Sequence, residues 1–276
     1  MVASCESDRF EFGANWRAFL SVLNDDRIAE AQRSLAGMLG SSELLGRSFL
    51  DIGCGSGLFS LAAWKMGARV HSFDFDPLSV RCAEELRRRY AVEDGRWTIE
   101  RGSVLDASYM EKLGLFDIVY SWGVLHHTGD MWSAIAKAAA AVRGDGCLFI
   151  AIYNDQGPWS VFWTRVKRTY NRLPPVLRTP YLLGFGAALE SAALGSAVLR
   201  LDLRRIVDRW TRYESVRGMS RWHDVIDWVG GYPFEVAKPE KILDFCRQRR
   251  FELTKLRTCG GKMGCNEFVF RRTANS

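Results

Sequence analysis

The sequence lacks an apolar run at its start. Met1 to Phe10 includes Glu6 and Asp8, which argues against a secretory signal or an Arg-rich transit peptide and makes a cytoplasmic location the expectation. It also lacks Cys-x-x-Cys. The seven cysteines, at 5, 54, 82, 147, 246, 259 and 265, are odd in number and scattered, which argues against a disulfide framework and suits a reducing compartment. Cys259 and Cys265 flank a Gly-rich turn without neighbouring His or Cys to complete a metal set, so they read as ordinary thiols. No charge-free stretch reaches bilayer length. The most apolar window, 181–199, carries Glu190 at its centre and three glycines, which makes insertion expensive. A buried or homodimer-packing helix fits it better, with a membrane-surface contact as the lesser alternative given the flanking arginines.

What is present is an ordinary globular balance: 276 residues, 47% hydrophobic and 25% charged, within the range of one large α/β unit. From residue 48, strand and helix patterns alternate. Strands are expected at 48–52, 69–73, 97–101, 116–121 and 147–153, and helices at 57–66, 78–90 and 131–143. That order predicts an α/β, Rossmann-like, doubly wound and mostly parallel sheet. Helix 239–249 and strands 251–258 and 266–271, joined by a Gly-rich turn, add a C-terminal antiparallel hairpin and bring the sheet to seven strands. Ahead of the first strand, Asp25 to Leu35 closed by Gly40 reads as a helix. Phe12, Trp16, Phe19 and Leu20, spaced by three and four, either join a lid or bury one face against the domain.

The informative stretch is 49–60, Phe-Leu-Asp-Ile-Gly-Cys-Gly-Ser-Gly-Leu-Phe-Ser, where an apolar strand enters a Gly-x-Gly-x-Gly turn and then a helix. Gly53, Gly55 and Gly57 allow a sharp turn and let a ligand lie against bare peptide at a helix N-terminus. The next strand ends in Asp74-Phe75-Asp76-Pro77, with Asp74 twenty-three residues after Asp51. Neighbouring parallel strands end on one edge, so Asp74 is placed to take both hydroxyls of an adenosine ribose. The dinucleotide fingerprint has its third glycine one residue later, which favours S-adenosylmethionine (SAM), a ligand without phosphate, over NAD.

Asp51 to Gly57 resembles the first motif of the class I SAM-dependent methyltransferases, and Phe73 to Pro77 resembles their acidic second strand end. Phe116-Asp117-Ile118-Val119-Tyr120-Ser121-Trp122-Gly123-Val124-Leu125-His126-His127 resembles the fourth-strand motif of the quinone-biosynthesis and related small-molecule methyltransferases. The likeness covers about 45–155 and, loosely, the last thirty residues. It implies SAM as cofactor and S-adenosylhomocysteine as product. Asp51 would lie near the methionyl ammonium, Gly53, Cys54, Gly55 and Gly57 would offer backbone, Asp74 would grip the ribose, and Phe75, Ser121 and Trp122 would stand beside the cofactor. Where the family often has an acid for the adenine amine, this chain has Ser103. Either its hydroxyl and the Val104 backbone read the base, or Asp106 reaches it. Four units are expected: an N-terminal helical cap (1–44), the SAM-binding core (45–156), a helical substrate-lid insertion (157–236), and a helix and hairpin completing the sheet (237–276).

Between Gly157 and Tyr232, twelve Lys/Arg face six Asp/Glu, a net of +6 equal to that of the whole chain. Such a segment, inserted after the fifth strand, should cap the C-terminal strand edge. Its charge suits an anionic substrate, a nucleic acid, or a solvated or membrane-facing helix surface; Arg200, Arg204, Arg205, Arg209 and Arg212 alternate with apolar residues in the amphipathic manner. No RNA-binding motif accompanies it, so no nucleic-acid partner is expected.

Methyl transfer from a sulfonium is an in-line displacement, and a base is needed only for a protonated acceptor. His126 and His127 follow the fourth strand on the edge that would face the methyl. One of them is expected to act, His127 in preference, while the other fixes the turn before helix 131 with Thr128 or Asp130 capping. Asp155 either orients a histidine or the acceptor, with Tyr153 beside it, or makes an Asx-turn into Gly157. His223 is a further candidate, acting without its sequence neighbour Asp224. Gly123 and His126 occupy positions where some relatives carry metal-binding acids, so no metal is expected. The reading is methylation of a small-molecule acceptor, at oxygen. N- or C-methylation, including of a lipid-like, RNA or protein acceptor, and a non-catalytic SAM-binding subunit are the alternatives. The missing Asn-Pro-Pro-Tyr-type motif argues against nucleobase or glutamine nitrogen.

Overall fold

In the computed structural model, residues 10, 20, 23–91, 94–199, 226 and 228–273 are described. Helix α1 (Asp25–Leu39) starts where the Asn24 side chain accepts from the Arg27 N–H and stops at Gly40 in the left-handed region. Then follow β1 (Ser48–Ile52), α2 (Leu58–Lys65), β2 (Arg69–Asp74), α3 (Pro77–Tyr90), β3 (Trp97–Arg101), α4 (Ala107–Leu113), β4 (Phe116–Trp122), a 3-10 turn (Leu125–His127), α5 (Met131–Ala140) and β5 (Val142–Tyr153). Helices α6 (Pro158–Arg172) and α7 (Pro175–Leu199) come next, and α8 (Pro239–Arg247), β6 (Phe251–Arg257) and β7 (Cys265–Arg272) close the chain.

The strands form one sheet in the order β3-β2-β1-β4-β5-β7-β6. Neighbours from β3 to β5 pair in parallel, and β7 runs antiparallel between β5 and β6. Order reverses between β1 and β4, the crevice where open α/β sheets bind ligands. Alternate residues feed opposite faces. Leu50, Val119, Leu148 and Ile150 pack with α5 and α8, whereas Phe49, Ile118, Tyr120 and Phe149 pack with α1, α2 and α3. Helix α1 therefore covers a sheet face, and Leu20 joins the same cluster. Phe12, Trp16 and Phe19 lie outside the described residues.

One helix and several boundaries depart from the pattern. Helix α4 was not anticipated; Asp106 caps it by accepting from the Tyr109 N–H, and only Met110 of its seven residues is buried, so it carries little apolar periodicity. Helix α5 ends at Ala140 rather than 143, and β5 begins at Val142 rather than 147. The strand extends because Val142 pairs with Phe116 across an irregularity in the register, and Arg143 meets Asp117 at 2.9 Å. Window 181–199 is helical as expected, as the larger part of α7. Among the described residues no helix is long and apolar enough to cross a membrane.

Candidate active site

The loops at the C-terminal ends of β1, β2, β3, β4 and β5 share one edge of the sheet, and the sequence-predicted site residues that are described fall there. Gly53 and Gly57 sit at φ +74° and +82°. A Cβ on Gly53 would lie 2.3 Å from Val124 Cγ1, and one on Gly57 would lie 2.9 Å from the Ala83 Cβ. Both positions therefore demand glycine on conformation and on space. The Gly53 and Cys54 N–H groups donate to the Phe73 carbonyl at 2.9 and 3.1 Å, tying the loop to the end of β2.

Asp51 is buried and lies at one end of a hydrogen-bonded chain. The Trp97 indole donates to Ser72 Oγ (2.8 Å), Ser72 and Ser60 hydroxyls meet at 2.7 Å, and Ser60 donates to Asp51 Oδ2 (2.5 Å). An indole only donates, so with Asp51 ionised and accepting from Ser60, Ser72 donates to Ser60. Burial pushes the Asp51 carboxyl up to about 7; the Ser60 hydrogen bond opposes the rise and the Asp74 charge adds to it. Burial, with the same two acids nearby, holds the Cys54 thiol well above its usual range and hence protonated.

Asp74 accepts from the Gly55 N–H (3.0 Å) through Oδ2 and from the Asp76 N–H (2.9 Å) through Oδ1. One carboxylate thus shapes both the glycine loop and its own turn. Asp76 is spent capping α3, accepting from the Leu78 N–H. At the end of β3, Ser103 Oγ accepts from the Leu105 N–H (3.2 Å). Asp106, the alternative reader of the base, is committed to Tyr109 N–H and Ser108 Oγ and is held below the usual carboxylate range by those bonds. Ser121 is buried and donates to the Ile52 carbonyl (3.0 Å), so its hydroxyl ties β4 to β1. Trp122 is 45% exposed at the strand end.

The two histidines are both buried yet differ in role. His127 Nδ1 meets the Pro233 carbonyl at 2.5 Å and must donate there, which leaves the lone pair of the neutral ring on Nε2. The Tyr153 N–H lies 3.4 Å from His126 Nδ1, and the ring also bonds the Ala151 backbone. Burial above all, with the neighbouring His127 and Lys167, keeps His126 well below the usual histidine range and therefore neutral.

Segment 233–237 was legible only as the end of the lid, and it holds this turn in place. The Glu235 N–H donates to the His126 carbonyl (2.9 Å). The Glu235 carboxylate accepts from the Gly129 and Met131 N–H groups at 3.1 and 3.0 Å, on the N-terminus of α5. Ala237 N–H donates to the Tyr153 carbonyl (3.0 Å). Asp155 Oδ1 accepts from the Gly157 N–H (2.8 Å), the Asx-turn alternative rather than a bond to a histidine. Asp130 caps α5, accepting from the Ser133 N–H. His223, Asp224 and the arginines from Arg200 to Arg212 lie outside the described residues. Lys167 of α6 is a feature that sequence reasoning missed. It is fully buried, donates to the Trp228 carbonyl, and lies 4.6 and 4.8 Å from the ring centres of Trp228 and Phe234. Within a basic amphipathic segment nothing marked it from its exposed neighbours.

The geometry fits an adenosyl cofactor: bare peptide at Gly53 to Gly57 before α2, a carboxylate at the end of β2, and a buried carboxyl at the end of β1. Residues 50–148 match the family model described as a methyltransferase domain. The chain is 35% identical over 116 residues to a ubiquinone biosynthesis O-methyltransferase from Methylobacterium sp., covering 42% of this chain and 45% of that one. It is 31% identical over 165 residues to a protein of the same name from Actinobacillus pleuropneumoniae, covering 54% and 64%. The chain thus spans about half the length of the curated relatives it matches. In fold it resembles magnesium protoporphyrin IX methyltransferase from Synechocystis, crystallised with SAM, at a TM-score of 0.56 and 12% identity over 99% of this chain and 100% of that one. Over residues 50–148 the chain is thus similar to methyltransferase domains, and it shares the Rossmann-like fold of the Synechocystis enzyme.

Proposed function

We propose that the protein transfers the methyl group of SAM to a hydroxyl oxygen of a small-molecule acceptor. The observation that carries this reading is the His127 hydrogen bond at the C-terminal edge of β4: Nδ1–H is donated to the Pro233 carbonyl, so the lone pair of the uncharged form of the ring is on Nε2. A hydroxyl acceptor needs such a group, because its proton must leave as oxygen attacks. The names of the curated relatives, ubiquinone biosynthesis O-methyltransferases, support oxygen as the methylated atom.

SAM, when bound, supplies an electrophilic methyl on a sulfonium. Of this chain's residues, Gly53 to Gly57 would offer backbone, Asp74 would hold the ribose, Asp51 would face the methionyl ammonium, and Ser103 with Val104 would meet the adenine. His127 takes the acceptor proton. Helices α6 and α7 with segment 228–237 exclude water, which raises the strength of each polar contact within. Release of S-adenosylhomocysteine from SAM with phenolic and catecholic acceptors tests the reading. Methylation confined to amine or carbon acceptors overturns the assignment to oxygen, and a folded, SAM-binding chain inert towards all three classes overturns the enzymatic reading.

A further inference from the structure

Residues 228–235 run as a strap between α6 and the histidine turn, and buried polar groups of α6 fix one end of it. The Lys167 ammonium donates to the Trp228 carbonyl. One turn along the same face of α6, the Asn171 amide Nδ2 donates to the Gly230 carbonyl (2.6 Å) and to the Lys167 carbonyl (2.9 Å). Both partners are carbonyls, which only accept, so the amide nitrogen is the atom that faces them. Asn171 is buried, and Gly230 is packed without room for a side chain: a Cβ there would lie 2.4 Å from the Phe10 ring and 3.1 Å from that of Tyr170. Three residues on, the Pro233 carbonyl accepts from His127 Nδ1, and Glu235 accepts from the start of α5. Val229 and Phe234 also pack with Trp163, Val166 and Tyr170, but apolar contact has no direction and does not set where a carbonyl points. The bonds to the Trp228 and Gly230 carbonyls do.

We propose that Asn171 is a positioning residue for methyl transfer: by holding Gly230 it sets the Pro233 carbonyl against His127 Nδ1, and through that bond it keeps the lone pair of the base on Nε2. The inference rests on the methyltransferase reading and extends it to α6, which that reading uses only to exclude water. His127 is ready as a base only while the strap lies on α6.

The test compares the full chain with Asn171→Ala. Long-range proton–nitrogen NMR spectra report the tautomer of each ring, and with four histidines in the chain each ring can be assigned by single substitution. The parent is expected to carry the His127 proton on Nδ1, and Asn171→Ala to show both tautomers. With catechol as acceptor, kcat should fall about ten- to a hundredfold, as for a small misplacement of a catalytic group, while the S-adenosylhomocysteine Kd stays the same. In a His127→Ala background the same substitution should lower kcat no further, because it acts through that ring. Val166→Ala, which removes buried apolar bulk from the same helix, should lower the Tm and leave the tautomer in place. If Asn171→Ala does not fold, Lys167→Met, which cuts the bond to the Trp228 carbonyl, carries the same test. A His127 tautomer unchanged by loss of the amide, or a kcat loss of equal size with and without His127, overturns the positioning role. If the folded parent methylates no acceptor, the methyltransferase reading fails instead, and the tautomer still decides whether Asn171 sets His127.

Discussion

Replacing Asp51 with Asn should stabilise the ligand-free protein at alkaline pH while weakening its hold on SAM. The carboxyl is buried and its folded-state value is pushed up to about 7 from an ordinary 3.8. Between those values the folded chain keeps a proton that the unfolded chain has released, so stability falls as pH rises. The proton's contribution is complete below the unfolded value and lost as pH climbs through about 7, a deficit of about 4 kcal/mol at pH 8. Asn removes the charge and can still accept from Ser60, but its amide N–H group needs acceptors of its own, at a cost of about 1–3 kcal/mol. The net gain expected at pH 8 is therefore about 1–3 kcal/mol. The variant-minus-parent difference should widen by about 2–3 kcal/mol from pH 5 to pH 8. His126 acts in the opposite sense, since its folded-state value lies below 6.5 and its contribution is lost on acidification; being common to both proteins, it cancels. Urea denaturation of both at the two pH values measures the difference. A difference that is the same at pH 5 and pH 8 would refute the claim that burial perturbs this carboxyl. The trade is one that a ligand-binding site commonly makes, accepting an unfavourable group where a cationic ligand will later offset it.

Asp74→Ala should weaken S-adenosylhomocysteine by about ten- to a hundredfold, from the loss of charge-assisted hydrogen bonds; an unaltered calorimetric Kd would mean that the end of β2 does not hold the ribose. His127→Ala should lower kcat by about two to four orders of magnitude with the cofactor Kd unchanged, and a kcat equal to the parent's would remove His127 as the base. Gly53→Ala, with its Cβ 2.3 Å from Val124 Cγ1 at φ +74°, should destabilise by about 1–3 kcal/mol in urea. Glu235→Ala, which uncaps α5 and frees segment 233–237 from it, should cost about 1–2 kcal/mol by the same measurement, and an unchanged midpoint would show that the clamp is inert.

The parallel part of the sheet could be read because β1 and β4 are largely apolar and followed by glycine, β2 is a short Val- and Phe-bearing segment ending in Asp74, and the helices between them have clear start and stop residues. Helix α4 escaped because it is short, mostly exposed and marked only by its Asp106 cap. The start of β5 escaped because Gly144 and Gly146 imitate a loop, whereas pairing of Val142 with Phe116 keeps the strand going. At the site, Asp51, Asp74 and the glycines declared themselves through spacing, a local property. The hydrogen bonds of His127 and His126 reach Pro233 and Tyr153, residues 106 and 27 positions away, and the Trp97-Ser72-Ser60-Asp51 chain joins three strands and a helix. Such long-range partners leave no periodic trace, and the same holds for Lys167, whose burial is decided by Trp228 and Phe234.

Calorimetric titration of the purified chain with SAM, S-adenosylhomocysteine and NAD tests the central claim most directly. The account predicts saturable binding of both adenosyl ligands at one site per chain and none of NAD. A folded protein that binds NAD in their place, or neither adenosyl ligand, would contradict it.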